Sequence, residues 1–171
     1  MKPIKKILTA IIAIFIATTL NAQKPDFIVS LDISPEFKSL YTAKGIEQSF
    51  GCTSSVAMSF RRFMLGAGFD TGIKSWDMDK YNFYIYGQLG YAILVPHWSF
   101  TPSIKAGLFM DFRGDSWNDI YYKNSFLLSP GLESTYGITD QILLRAAIQG
   151  LITDSWEYGF SSSLGIKFLF L

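Results

Sequence analysis

Residues Tyr158 to Leu171, YGFSSSLGIKFLFL, decide how the rest of the chain is read. Taking every second residue gives Tyr158, Phe160, Ser162, Leu164, Ile166, Phe168 and Phe170; the intervening set is Gly159, Ser161, Ser163, Gly165, Lys167 and Leu169. A β-strand sends successive side chains to opposite faces, so this stretch has one bulky apolar face and one small, polar face. Strands of soluble proteins alternate too, but rarely for so long and rarely with so apolar an end.

Upstream, the 171-residue chain is 49% hydrophobic and 16% aromatic, yet it holds no run of eighteen or more apolar residues that would make a spanning helix. Its first segment explains part of the excess. Lys2, Lys5 and Lys6 precede an apolar run from Ile7 to Leu20, and Leu20-Asn21-Ala22 offers a small residue for cleavage. This layout predicts a secretory signal peptide over residues 1–22 and a mature barrel domain over 23–171. Gln23 at the junction, where a lipoprotein would carry Cys, argues against lipid attachment there. Without the three leader lysines, the 15 basic residues fall to 12 against 14 acidic ones, a formal net of −2. With no basic stripe, nothing points to nucleic acid. The single cysteine, Cys52, has no partner for an intramolecular disulfide and reads as a small apolar residue.

The mature chain parses into eight alternating segments: about 27–37, 52–62, 63–72, 81–95, 99–112, 125–136, 141–150 and 158–171. Within the second, Val56, Met58 and Phe60 oppose Ser55, Ala57, Ser59 and Arg61; within the seventh, Leu144, Ala146 and Ile148 oppose Arg145, Ala147 and Gln149. The upper part of the fourth segment, Phe83 to Gly87, is aromatic on both faces and leaves the phase open. Pro130 lacks a ladder donor inside the sixth, and a bulge is expected there. Short turns near 61–64, 95–98 and 137–140 alternate with longer loops at 39–51, 73–80, 113–124 and 151–157. No helix or second domain is expected. The fold class is all-β, an eight-stranded antiparallel up-and-down transmembrane β-barrel.

Eight strands also describe a secreted lipocalin-like cup with its apolar face inward and an apolar ligand inside. Volume decides against it. An eight-stranded interior is just wide enough for side chains to fill, and the apolar face carries Phe, Leu, Ile, Tyr and Met almost without relief. The polar face instead carries Gly66, Gly68, Gly90, Gly107, Gly131 and Gly165 between isolated charges, as a narrow packed lumen requires. Trp76, Trp98, Trp117 and Trp156 all fall at or beside strand ends, where an interfacial aromatic belt belongs.

With these residues in place, residues 24–171 resemble the small eight-stranded outer-membrane barrels of the OmpA/OmpX type. The resemblance is one of pattern, and its most specific piece is the carboxyl end. Such barrels finish on an aromatic residue preceded by alternating apolar residues, a signal for the barrel-insertion machinery. Phe168 and Phe170 fit it, with Leu171 one residue beyond. The resemblance implies a monomer in a bacterial outer membrane, in contact with outer-membrane lipid and lipopolysaccharide, meeting any extracellular partner through the four loops.

Eight charges are expected to face the lumen: Asp32, Arg61, Asp70, Lys105, Asp111, Glu133, Arg145 and Lys167. Neighbouring strands should set Glu133 against Arg145, with Lys105 approaching, and barrel closure should bring Asp32 to Lys167. Buried charges need partners, so this network is expected to plug the barrel and fix its packing. An ion path is the weaker reading, because conducting porins use about sixteen strands. A lipid-modifying enzyme on this fold would want a Ser with a His base at the outer rim. The only histidine, His97, falls in a turn at the opposite end, so no catalytic, cofactor or metal residues are assigned. The acidic loop residues Asp77, Asp79, Asp115, Asp119, Asp154 and Glu157 show no EF-hand spacing. The expected role is structural, adhesive or surface-interactive.

Overall fold

The computed structural model describes residues 27–43, 45–74, 80–114 and 120–170. Nine strands follow one another: β1 (Phe27–Thr42), β2 (Gly45–Phe60), β3 (Phe63–Ile73), β4 (Lys80–Tyr91), β5 (Ile93–Val95), β6 (Trp98–Gly114), β7 (Ile120–Gly137), β8 (Ile142–Thr153) and β9 (Tyr158–Phe170). Both β4 and β5 pair with β6, on either side of Ala92, and form one stave of the wall. Each stave pairs antiparallel with the next in sequence, and β9 returns to β1, so eight staves close into a barrel.

The alternation read from the sequence sets the wall inside out relative to a soluble protein. On β2, Val56, Met58 and Phe60 are exposed, while Thr53, Ser55 and Ala57 are buried. On β8, Ile148 is 67% exposed while its neighbours Ala147 and Gln149 are buried. The inward-facing apolar cup is thereby excluded. No helix among the described residues is long and apolar enough to cross a membrane, and strands do not need one.

The strands are longer, and the loops shorter, than expected. Most of 39–51 is ladder rather than loop, since Ser39 pairs with Gln48 and Thr42 with Gly45. Of 113–124, Arg113 and Gly114 extend β6 and Ile120 to Asn124 begin β7; of 151–157, Leu151 to Thr153 extend β8. In 73–80, Ile73 closes β3 and Lys80 opens β4. Polar composition here accompanies paired backbone rather than irregular loop. A membrane-crossing strand needs only about 9–11 residues, and beyond that length the backbone can stay paired while both faces turn polar. At Gly45 the chain adopts φ 122°, a conformation that glycine takes without strain, and this allows the tight reversal between β1 and β2.

Three prolines mark the wall. Between β7 and β8 the pairing lapses at Pro130, from Leu128↔Ile152 to Gly131↔Gln149, with the register unchanged on either side. No residue is inserted, so the expected bulge is absent; the missing N–H opens the ladder without shifting it. Gly150 lies opposite in the register, and a Cβ there would be in ordinary contact with the Pro130 ring at 3.7 Å. Pro35 coincides with a similar lapse between β1 and β9, and Pro102 faces the Ala92 break between β4 and β5.

Candidate functional site

Ten ionisable side chains are buried inside the ring: Asp32, Glu36, Asp70, Asp111 and Glu133 against Lys38, Arg62, Lys105, Arg145 and Lys167. Each sign is represented five times, so the buried charge among the described residues is formally balanced. Along the barrel axis these groups fall into layers, whose order follows from β1 climbing from the end with the termini and short turns (the turn end) to the loop end.

The first layer surrounds Arg145 on β8. Its Nε lies 2.8 Å from Glu133 Oε2 and 2.5 Å from Asp32 Oδ2. One terminal nitrogen donates to Ser34 Oγ at 3.1 Å and Ser163 Oγ at 2.8 Å, and Ser34 in turn donates to Asp32 at 2.8 Å. Lys167 pairs with the other Glu133 oxygen. Gly165 leaves room for this cluster, because a Cβ there would fall 2.2 Å from Ser34 Oγ. The partners are redistributed relative to expectation. Asp32 is opposite Lys167 in the β1–β9 register, but its ion contact runs to Arg145, and Lys167 turns to Glu133. A long side chain reaches across a narrow lumen, so strand adjacency alone does not choose its partner.

Lys105 does not approach Glu133. It belongs to a second layer, with its Nζ 4.0 Å from Asp70 Oδ2 and 4.1 Å from the Tyr86 ring centroid. Lys38 lies 3.7 Å from the same Asp70 oxygen and 2.9 Å from Glu36. Tyr86 shares a hydrogen bond with Thr53 at 3.0 Å. Above this, Leu40, Tyr84, Tyr86, Phe109, Leu127 and Leu151 pack into an apolar layer. Toward the loop end, Lys74 pairs with Glu47 and, at 2.6 Å, with Asp111. The enclosed space among Leu40, Phe109, Leu127 and Lys74 is about 20 Å³, room for one water. Toward the turn end the lumen opens into a vestibule of about 470 Å³ roofed by Glu133 and Lys167.

Arg61 follows the end of β2 at Phe60, exposed in the turn at φ 56° with Cζ 5.5 Å from the Phe60 ring centroid, and lines the mouth of the turn-end vestibule. The buried arginine is its neighbour Arg62. Alternation assigns a face only while the chain is extended, and the turn leaves Arg61 at the lumen's mouth while Arg62 is buried. Trp98 is half-exposed and packs on Tyr136 at 5.0 Å at the turn end; Trp156 is 88% exposed, at φ 60°, in the β8–β9 turn at the loop end. Trp76 and Trp117 lie outside the described residues, as do Asp77, Asp79, Asp115 and Asp119. Phe168 and Phe170 stand on β9 opposite Leu31 and Val29. His97 occupies the turn between β5 and β6 at φ 64°. No group of three or more metal-ligating side chains is found among the described residues.

Glu36, Lys38, Arg62 and Lys74 were not anticipated. Glu36 and Lys38 continue the Asp32–Ser34 alternation, and following that phase four residues further would have found both. Arg62 and Lys74 flank strand ends, where no phase is available.

Eight staves, an apolar outer wall and a layered polar interior define the class: a small antiparallel barrel of the outer-membrane type. No protein-family model matches the chain, and no curated protein does either. Solved structures do. Neisserial surface protein A (NspA) superposes with a TM-score of 0.69 at 13% identity, over 84% of this chain and 97% of its own. Ail, the attachment invasion locus protein of Yersinia pestis, solved with the heparin analogue sucrose octasulfate, gives 0.65 at 13% identity over 85% and 100%. The N-terminal β-barrel domain of Pseudomonas aeruginosa OprF gives 0.56 at 16% identity over 82% and 97%. At such identities the likeness is one of fold.

Proposed function

We propose that this chain is a non-catalytic barrel of a bacterial outer membrane, exported by residues 1–22 and inserted as a sealed, monomeric wall. Its role in this reading is structural and surface-interactive. The observation that carries the proposal is the inside-out wall around a balanced, layered interior. The exposed belt of Phe, Leu, Ile and Val suits hydrocarbon, and the paired charges with the apolar layer above them support a sealed lumen. Phe168 and Phe170 serve as the insertion signal, while Trp98 and Trp156, together with Trp76 and Trp117, set the depth in lipid. Recognition falls to the loop end, which contacts lipopolysaccharide and any extracellular partner.

In this reading the partner is met through aromatic rings rather than through a cationic surface. In sequence, the segments 43–49, 74–80, 111–123 and 154–157 carry five basic against eight acidic residues, a balance that disfavours a polyanionic partner. The loop-end rings are the better handle: Tyr41 stacks on Tyr158 at 5.4 Å, and Trp156 stands free. Catalysis finds no support, because His97 and the loop-end Ser155 lie at opposite ends of the barrel.

The test is the mobility of boiled and unboiled protein from the outer-membrane fraction, followed by planar-bilayer recording. A heat-modifiable band that adds no steady conductance is expected. A soluble protein without a mobility shift overturns the membrane reading, and stable open channels overturn the sealed lumen.

A further inference from the structure

The vestibule at the turn end is built in two tiers that the sealed barrel above it does not need. Its roof is polar: Glu133 and Lys167 are joined there by the hydroxyls of Ser30, Thr101 and Thr135. Below the roof comes an apolar collar. Ile28, Met64, Leu94, Leu143 and Leu169 come from five different strands, and each continues the inward phase of its strand. An aliphatic ring around an aqueous opening leaves apolar surface in water unless something fills it. The space is about 470 Å³, inside the range of about 300–1,000 Å³ found for small-molecule pockets.

The rim adds one free charge of each sign. Arg61 in the β2–β3 turn and Asp140 in the β7–β8 turn both line the vestibule and are exposed, and neither has an ion pair with another described residue. Four staves separate these turns, half of the ring of eight. With strands about 4.8 Å apart and tilted by about 40°, such a ring is about 16 Å across, so the two charges do not neutralise each other. Their turns are anchored to neighbouring staves. Ala92 donates to the Arg62 carbonyl at 2.8 Å, and Gly137 donates to that of His97 at 3.1 Å. Thr139 Oγ1 accepts from the Gln141 and Ile142 amides at 3.2 and 3.0 Å, which fixes the backbone on both sides of Asp140.

We infer that the vestibule binds a short zwitterionic peptide with apolar side chains, and that a dipeptide fits it best. The peptide carboxylate meets the planar fork of Arg61, the ammonium meets the Asp140 carboxylate, and the side chains fill the collar. A dipeptide measures about 7 Å from end to end, and the long arm of Arg61 supplies the remaining reach. A simple anion would leave Asp140 and the collar unused, and an uncharged amphiphile would leave both rim charges unused. The site requires only the closed barrel, so it stands apart from the surface role proposed above.

The full-length mature barrel, refolded in detergent, is titrated with leucyl-leucine by isothermal titration calorimetry. Acetyl-leucyl-leucine amide, which carries neither charge, and sodium acetate are run beside it. Saturable one-to-one binding of leucyl-leucine alone is expected. Arg61→Gln and Asp140→Asn should each weaken it about tenfold. Leucyl-leucine amide keeps only the ammonium, so its weaker binding should respond to Asp140→Asn and not to Arg61→Gln. No saturable heat with leucyl-leucine overturns the site, as does unchanged affinity in either variant. Equal binding of the blocked peptide reduces it to apolar partition, and equal binding of acetate reduces it to an anion site; both overturn the peptide assignment. All three proteins are checked for heat-modifiability. Where a variant alone loses it, the free and blocked peptides on the parent chain decide; its absence in the parent overturns the closed barrel and the site with it.

Discussion

The two charged layers of the lumen solve the same problem differently. Around Arg145, ion contacts close to 2.5–2.8 Å and two serines accept from one terminal guanidinium nitrogen. Around Lys105, the nearest carboxylate is 4.0 Å away and an aromatic face replaces the hydrogen-bonding oxygen. Lys105 is 1% exposed and its Nζ has no hydrogen-bond acceptor, whereas Arg145, equally buried, has several. A buried charge is tolerated when its donors are satisfied. The Arg145 layer therefore fastens four strands, β1, β7, β8 and β9, to one another through a single side chain. Lys105 itself balances charge while fastening little.

This contrast predicts a ranking. Arg145→Leu leaves Glu133 and Asp32 sharing one remaining cation, and should cost about 3–5 kcal/mol, read as a lower urea midpoint of the folded barrel in detergent. Lys105→Met removes a weakly held charge while Lys38 still attends Asp70. It should cost about 1–2 kcal/mol in the same titration, and a loss as large as that of Arg145→Leu would erase the distinction between the layers. Lys123→Ala breaks a partly exposed pair, Lys123 Nζ to Glu157 Oε1 at 2.8 Å, outside both layers. It should shift the midpoint by less than about 0.5 kcal/mol, setting the floor against which the other two are judged.

The barrel was legible because its signal has a period of two and repeats along every stave. Tyr158 to Phe170 alone displays both faces. Other features were not, for reasons that differ. Tyr84 and Tyr86 are buried in the lumen while Tyr81 and Ile85 face outward, and residue size gave no means of telling these apart. Ion partners across the lumen depend on how far a side chain reaches inward, which strand order does not encode; Lys105 thus went to Asp70 rather than Glu133. Arg62, not read from the pattern, is buried beside the exposed Arg61 because a two-residue turn resets the phase. The loops were overdrawn because polarity was taken for irregularity, although Ser39 to Thr42 pair residue by residue with Gly45 to Gln48.

The three prolines have a consequence for how the wall opens. Pro35, Pro102 and Pro130 stand where pairing lapses between β1 and β9, between the β4–β5 stave and β6, and between β7 and β8. These seams divide the cylinder into three panels: β1 to β5, β6 with β7, and β8 with β9. Every panel is contiguous in sequence, so the chain can deliver finished panels one after another, and only the seams need to be sewn last. Backbone amides beside the seams should therefore trade their protons for deuterium before those inside the panels, drawing the assembly lines of the barrel onto its finished wall.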